Sequence, residues 1–380
     1  MDLRVLYLID SLARGGAEQS LVSMAPHLIQ GGVDLHVGYF LDRTDLVPAL
    51  RHTGAHVHAL SGSGGRWARA RQAAEAIRRI RPGLVHTTLF EADIAGRIAA
   101  RRCGVPVVSS LVNLAYGPDQ RTDPRISAVR LRAAQGLDML TARLVVRFHA
   151  ISAHVADVMS RRLRIDRRKV EVIPRGRDPE QLGTRTPERR AAARAELGVA
   201  DDAPLLLAAA RHEYQKGLDV LLRAMPAVLA EIPAARLFVA GREGNLTPTL
   251  REIVRDRGLE EAVRFLGVRD DVPDLLCAAD LFVVPSRWEG LGSVLLEAMA
   301  LECPIVASDL PAIRETAGPQ HAAHVPPDRP DALASAMVRT LRDPAAASRA
   351  RRARERFGLA FTVQKIAATM ATFYLQAGER

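Results

Sequence analysis

The chain has 380 residues, 48% of them apolar and 25% charged, the composition of a folded protein long enough for two domains. No run reaches the roughly 18 to 20 apolar residues of a membrane span, the opening with Asp2 reads as a strand rather than a leader peptide, and three scattered cysteines (Cys103, Cys277, Cys303) read as buried thiols in a reducing cytoplasm. The net charge of +10 falls entirely in residues 1–180, where 27 Lys and Arg stand against 17 Asp and Glu, and so points to an anionic partner for the first half: a membrane surface, an acidic acceptor or nucleic acid.

Apolar runs at 3–9, 35–40, 84–86, 106–109 and 144–150 predict strands, and helix-period segments at 17–30, 66–80 and 91–102 lie between them. Runs buried on both faces and separated by helices imply βαβ units in a parallel sheet. The stretch 174–203 is rich in breakers (Pro174, Gly176, Pro179, Gly183, Pro187) and carries a charged helix at 188–197. It separates a domain at 1–180 from a second at 181–358. The plan then repeats, with strands at 204–210, 236–240, 263–266, 281–285 and 304–308. Helices are expected at 217–232, 247–257, 293–302 and 330–342, and 346–376 is helical throughout, its end (359–380) being placed as a helix able to pack back on the first domain. The fold class is α/β, two doubly wound parallel-sheet domains. Ligands bind such sheets at the carboxyl ends of their strands, which would face a common cleft.

Three loops carry the chemistry. The first runs Pro285-Ser286-Arg287-Trp288-Glu289-Gly290-Leu291-Gly292-Ser293-Val294-Leu295-Leu296-Glu297 and reads as strand, glycine turn, helix. Gly290 and Gly292 let the backbone approach a ligand, and Ser293 opens a helix whose N–H groups and positive dipole end suit a diphosphate. Glu289 and Glu297 either accept hydrogen bonds from two sets of sugar hydroxyls or are a solvated loop Glu and a helix-start Glu. The second loop holds Arg211 and Lys216 after a strand. They form either a diphosphate clamp, a planar fork plus a point charge, or a pair of solvated cations. The third is Ser11-Leu12-Ala13-Arg14-Gly15-Gly16-Ala17-Glu18, a tight turn into a helix that lacks the full dinucleotide-binding glycine spacing. Gly241-Arg242-Glu243-Gly244, which ends a strand of the second domain and could touch donor groups, and the pair Val268–Arg269 are lesser candidates. His86, His149 and His154 lie near strand ends, where a histidine is either structural or an acid/base group.

Glu-x7-Glu inside PSRWEGLGSVLLEAMALECPIVASD resembles the signature of the retaining GT-B glycosyltransferases of group 1. VRFLGVRDDVPDLLCAADLFVVPS and IDSLARGGAEQSL are similar to that family's other segments, so the resemblance covers essentially the whole chain. It implies two Rossmann-like domains, with the acceptor on the first and a nucleotide diphosphate sugar, UDP- or GDP-linked, on the second. It also implies transfer of a hexose with retention of configuration. Glu289 would contact the donor sugar, Glu297 the ribose, and the backbone of Leu291, Gly292, Ser293 and Val294 the diphosphate. Arg211 and Lys216 would stabilise the leaving diphosphate, Val268 would lie at the base, and Gly15 and Gly16 would reach the diphosphate from the first domain. Neither a cofactor nor a metal is implied. Two departures stand out. Asn113 occupies the place where many members carry a histidine, and Arg175 replaces a common asparagine.

A nucleotide-sugar epimerase or a phosphorylase of the same architecture would use similar residues. Nucleic-acid binding fits the charge but not the glycine loops, and aromatics at 4% are too few for stacking platforms. The acceptor is open among glycolipid, polysaccharide precursor and small natural product. The segment 66–81 places Trp67, Ala70, Ala74 and Ile77 on one helical face and six arginines (66, 69, 71, 78, 79 and 81) largely elsewhere. This is either an ordinary sheet-covering helix or one that touches an anionic membrane. The second alternative places the protein in the cytoplasm at the inner membrane face.

Overall fold

The computed structural model describes residues 3–60, 64–117 and 127–378; Asp2, on which the reading of the chain's opening rests, lies outside them. Two compact units divide the chain, residues 1–178 with 362–380, and residues 179–361.

The first unit is built on a seven-stranded sheet of order β3-β2-β1-β4-β5-β6-β7, parallel throughout. Its strands are β1 Leu3–Ile9, β2 Val33–Tyr39, β3 His56–Ala59, β4 Leu84–Thr88, β5 Val107–Leu111, β6 Arg147–Ala150 and β7 Val170–Val172. Val5, Leu6, Leu8 and Ile9 of β1 are all fully buried, as expected of a strand with helices on both faces. Ser152 caps the helix Ala153–Leu163 by accepting from Val155 N at 3.1 Å. The helix Gly16–Gln30 stops at Gly31 and at Gly32, which has φ +84°.

The last helix, Val363–Gly378, belongs to this unit. It buries Val363, Ile366, Ala367, Met370, Phe373, Tyr374 and Ala377, the i, i+3, i+4 spacing of an amphipathic face, in the core with Leu21, Met24 and Leu28. Gly176 makes its docking possible. A Cβ there would stand 2.6 Å from Val363 Cα, and beside it Val363 N donates to Arg177 O at 2.9 Å.

The second unit has a six-stranded parallel sheet of order β10-β9-β8-β11-β12-β13. Its strands are β8 Leu205–Ala209, β9 Arg236–Ala240, β10 Val263–Gly267, β11 Leu281–Val284, β12 Ile305–Ser308 and β13 Ala323–Val325. Leu206, Leu237, Val239, Leu281, Val283 and Val306 meet Leu221, Met225, Leu333 and Met337 in its core. A buried cation ties the entry segment to this sheet. Arg194, 1% exposed, donates to Ala278 O at 3.0 Å, to Ala200 O at 2.6 Å and to Asp280 Oδ2 at 3.2 Å, and Asp280 also accepts from Leu205 N at 2.8 Å. No helix among the described residues is long and apolar enough to cross a membrane.

Candidate active site

In the second sheet the strand order reverses between β8 and β11, and ligand crevices in open α/β sheets open at such points. The loops after these two strands carry Arg211, Lys216, Glu289 and the glycine turn. Gly217 brings them together: at φ +63° its position for a Cβ lies 2.0 Å from Pro285 O, so no side chain fits there. Arg287 N donates to Gln215 O at 2.8 Å, and Gln215 Nε2 to Trp288 O at 2.9 Å.

Glu289 is 7% exposed, and its Oε1 accepts from Lys216 Nζ at 2.6 Å and from Ser286 Oγ at 2.8 Å. Oε2 takes no protein donor among the described residues, which leaves an acceptor oxygen of a fixed carboxylate for a ligand hydroxyl. The Lys216 ammonium has three donors and spends one on Glu289. Arg287 braces the loop. It makes two 2.9 Å bonds to Asp219, donates to Asp328 Oδ1 at 2.7 Å and to Tyr214 O at 2.7 Å, and lies 3.8 Å over the Tyr214 ring. Burial pushes the Asp219 carboxyl up, but the Arg287 and Arg223 guanidiniums outweigh it and hold the group below the usual carboxylate range.

Gly292, at φ +76°, is the N-cap of the helix Ser293–Ala300 and supplies no side-chain cap. The positive end of that helix therefore has no competing carboxylate or hydroxyl on its cap residue. Leu291 is buried, Ser293 and Val294 are half-buried in the first turn, and Glu297 is half-buried one turn on. Arg211 after β8 and Arg242 after β9 are exposed, and their loops are joined by His212 N donating to Arg242 O at 3.0 Å. Val268 follows β10 and is exposed. Every residue singled out in this half thus follows the carboxyl end of β8, β9, β10 or β11.

Three features here escaped the sequence reading: the Ser286 hydroxyl on Glu289, the Arg287 brace, and His212. His212 is 2% exposed; its Nδ1 lies 3.0 Å from Thr247 Oγ1, and its Nε2 is buried with no partner. Burial pushes this imidazole below its ordinary range. Its place between Arg211 and Lys216 was the one available signal.

In the first unit, Gly15 and Gly16 begin the helix Gly16–Gln30. A Cβ on Gly15 would meet Glu18 Oε2 at 2.3 Å, and one on Gly16 would meet Arg175 Nη1 at 2.6 Å, so Arg175 brings its charge to this helix start. Asn113 is exposed and His154 half-buried. His86 and His149 lie deep in the sheet. His149 Nε2 is 2.7 Å from Ile173 O, a carbonyl that can only accept, so this nitrogen carries the proton. In the neutral ring Nδ1 then accepts from Ser110 Oγ at 2.9 Å, Ser110 accepts from His86 Nε2 at 2.7 Å, and His86 Nδ1 accepts from Tyr374 OH at 2.7 Å. Burial, aided by the Arg175 charge, pushes His149 down to about 4, and burial with the neighbouring His149 pushes His86 well below its ordinary value. The chain borders a cavity of about 40 Å³ lined by Tyr7, Met24, Arg175, Ile366 and Met370 as well.

Comparison with known proteins shows the family. The family model described as Glycosyltransferase Family 4 matches residues 14–181, and that described as Glycosyl transferases group 1 matches residues 203–343. A D-inositol 3-phosphate glycosyltransferase of Xylanimonas cellulosilytica is 30% identical over 412 aligned positions, covering 100% of this chain and 92% of its own. The chain belongs to the group 1 glycosyltransferases. A GDP-mannose-dependent monoacylated alpha-(1-6)-phosphatidylinositol monomannoside mannosyltransferase of Corynebacterium glutamicum is 35% identical over 183 residues, 46% of this glycosyltransferase and 47% of the relative, so the match spans about half of that relative's length. Anabaena HepE, solved with UDP and glucose, superposes with a TM-score of 0.85 at 24% identity over 98% of this glycosyltransferase and 100% of HepE. That likeness shows the GT-B fold.

Proposed function

We propose that this chain moves a hexosyl residue from a UDP- or GDP-linked sugar to an acceptor hydroxyl, with retention of configuration and without a metal ion. The observation that carries the reading is the Lys216–Glu289–Ser286 cluster at the switch point of the second sheet. Glu289 accepts a hydroxyl of the donor sugar on Oε2, and Glu297 accepts the ribose hydroxyls. The backbone from Leu291 to Val294 and the helix start hold the diphosphate, Val268 lies at the base, and Gly15, Gly16 and Arg242 add contacts to the donor. Charge grows on the diphosphate as the glycosidic bond breaks, and Arg211, the two remaining donors of Lys216 and the helix dipole stabilise it. Preorganised electrostatics of this kind is usually the largest catalytic term. With no Asp or Glu nucleophile placed by motif, the acceptor hydroxyl attacks from the face the diphosphate leaves and passes its proton to that diphosphate. Relatives named for GDP-mannose and for UDP-Gal support a nucleotide-sugar donor while leaving the base open.

Thermal-shift screening of UDP-, GDP- and ADP-sugars tests the donor. One of them stabilises the chain by about 2.7 kcal/mol at roughly a hundredfold excess over its Kd. NMR of the product then reads the anomeric configuration, with EDTA present throughout. An inverted product, or loss of activity in EDTA with the fold unchanged by circular dichroism, contradicts this mechanism; release of free sugar that no acceptor diverts favours a hydrolysing epimerase, and sugar 1-phosphate formed with inorganic phosphate favours a phosphorylase.

The acceptor is a glycolipid, polysaccharide precursor or small natural product, and a second observation favours work at an anionic membrane. The helix Arg66–Ile80 buries Ala70, Ala74 and Ile77, yet leaves Trp67 71% exposed, with exposed arginines 66 and 71, paired to Glu91 and Glu75, near it and exposed arginines 78 and 79 at the helix end. A tryptophan and cations on one exposed helix suit a headgroup layer, each cation contributing about 1 kcal/mol.

A further inference from the structure

Asp34, His36, His56 and His58 stand at the outer edge of the first sheet, remote in sequence from every candidate active-site residue. The β2–β3 register sets His36 opposite His56 and Gly38 opposite His58. Side chains alternate along a strand, so all four residues share one face. His36 Nε2 lies 3.2 Å from Asp34 Oδ1, and His56 Nε2 lies 3.8 Å from the same oxygen. The three atoms all lie within 4.8 Å of one another.

We propose that Asp34 Oδ1, His36 Nε2 and His56 Nε2 bind one divalent transition-metal ion of the zinc class. Zinc takes imidazole and carboxylate ligands at about 2.0 to 2.2 Å in a tetrahedron, which puts ligand atoms about 3.3 Å apart. The Asp34–His36 pair is already at that spacing, and His56, 62% exposed with its ring stacked on His36 at 4.6 Å, closes on the ion by a small turn of that exposed ring. Two imidazoles select zinc, nickel or copper over magnesium or calcium, which prefer all-oxygen shells.

The far sides of two ligands are also held, as metal ligands are in built sites. His36 Nδ1 lies 2.9 Å from His58 Nε2. With Nε2 of His36 given to the ion, its Nδ1 carries the proton and donates to His58. Asp34 Oδ2 accepts from Arg4 Nε at 2.6 Å, and Arg4 is anchored in turn by donating to Ile80 O at 2.9 Å. Solvent reaches the ion past His56 and fills its fourth position. Asp34 and His56 sit at the amino ends of their strands, whereas Gly15 and Gly16 follow the carboxyl end of β1, so the ion is structural. It tethers the four-residue edge strand β3 to β2, and a bare edge is a place for unwanted pairing.

The test uses the full chain without an affinity tag, stripped with EDTA, desalted and titrated calorimetrically with Zn²⁺ in a non-chelating buffer at neutral pH. The expected result is one Zn²⁺ per chain, no binding of Mg²⁺, and a higher melting temperature with Zn²⁺. His56→Ala, which removes an exposed ring and leaves the core alone, weakens binding by more than about tenfold, and His58→Ala weakens it by about tenfold through loss of the outer partner. Absence of Zn²⁺ binding, equal binding of Mg²⁺, or unchanged Zn²⁺ binding in both variants overturns the proposal.

Discussion

Glu289 shows how a residue's meaning is set by its neighbours. The carboxylate is anchored by one cation and one hydroxyl. Ser286→Ala removes the neutral donor and leaves the lysine, so its expected effect on kcat is about tenfold or less, measured by steady-state transfer. Asn113→Ala is expected to be milder than Glu289→Ala by the same assay, since an exposed amide has no proton to exchange near neutral pH. His149 gives a pH prediction. Its folded value of about 4 lies below the ordinary 6.5, so the unfolded chain takes up a proton first as pH falls. Stability is therefore lost between about pH 6.5 and 4, about 2 kcal/mol of it by pH 5. Asp10 and Asp93, raised chiefly by burial to about 6 and about 7, act in the opposite direction over the same window, so the wild-type curve alone does not isolate His149. Urea melts of wild type and His149→Asn isolate the effect. The stability gap between them narrows as pH falls from 6.5 to 5, and parallel curves would show that His149 is not held neutral.

At the scale of the element, the long apolar strands and the glycine-turn helix were legible because their residues carry the pattern locally. Strands β3, β7 and β13 were not, being three or four residues long and, in β3, spelled His-Val-His-Ala. Their strand character comes from a neighbour's ladder. The His-x-His alternation of 56 and 58 was readable, but its partners Asp34 and His36 lie about twenty residues away and meet it only through the β2–β3 register. Arg287 was likewise visible as a letter, while its work depends on a loop some seventy residues earlier, and the Ser286 hydroxyl reaches Glu289, three residues on, only through the turn of its own loop. The helix Val363–Gly378 permits a sharper test. Tyr374 is fully buried and donates to His86, so Tyr374→Ala removes a large core side chain and also strands an imidazole. The expected loss is about 3 to 5 kcal/mol in denaturant unfolding. Tyr374→Phe keeps the volume and loses only the hydroxyl, for about 1 to 3 kcal/mol.

For the whole molecule, the one-sided charge and the Trp67 helix bear on where the chain works. Flotation with phosphatidylglycerol vesicles at low salt is expected to carry the protein upward, and Trp67→Ala to reduce the bound fraction. A wild-type protein that stays in the soluble fraction removes the membrane reading and leaves the charge to an acidic acceptor. The two-unit α/β plan and the family were legible from three motifs in order, because loops at strand ends are where such folds keep their chemistry. The central claim is that the second unit's switch-point loops run sugar transfer through the Lys216–Glu289 pair. The most direct test is kcat/KM for transfer from the stabilising nucleotide sugar, in wild type and in Lys216→Ala and Glu289→Ala variants whose circular dichroism is unchanged. Each variant is expected to lose a factor of about 10² to 10³ or more. Retention of most of the wild-type turnover by either variant would contradict the account.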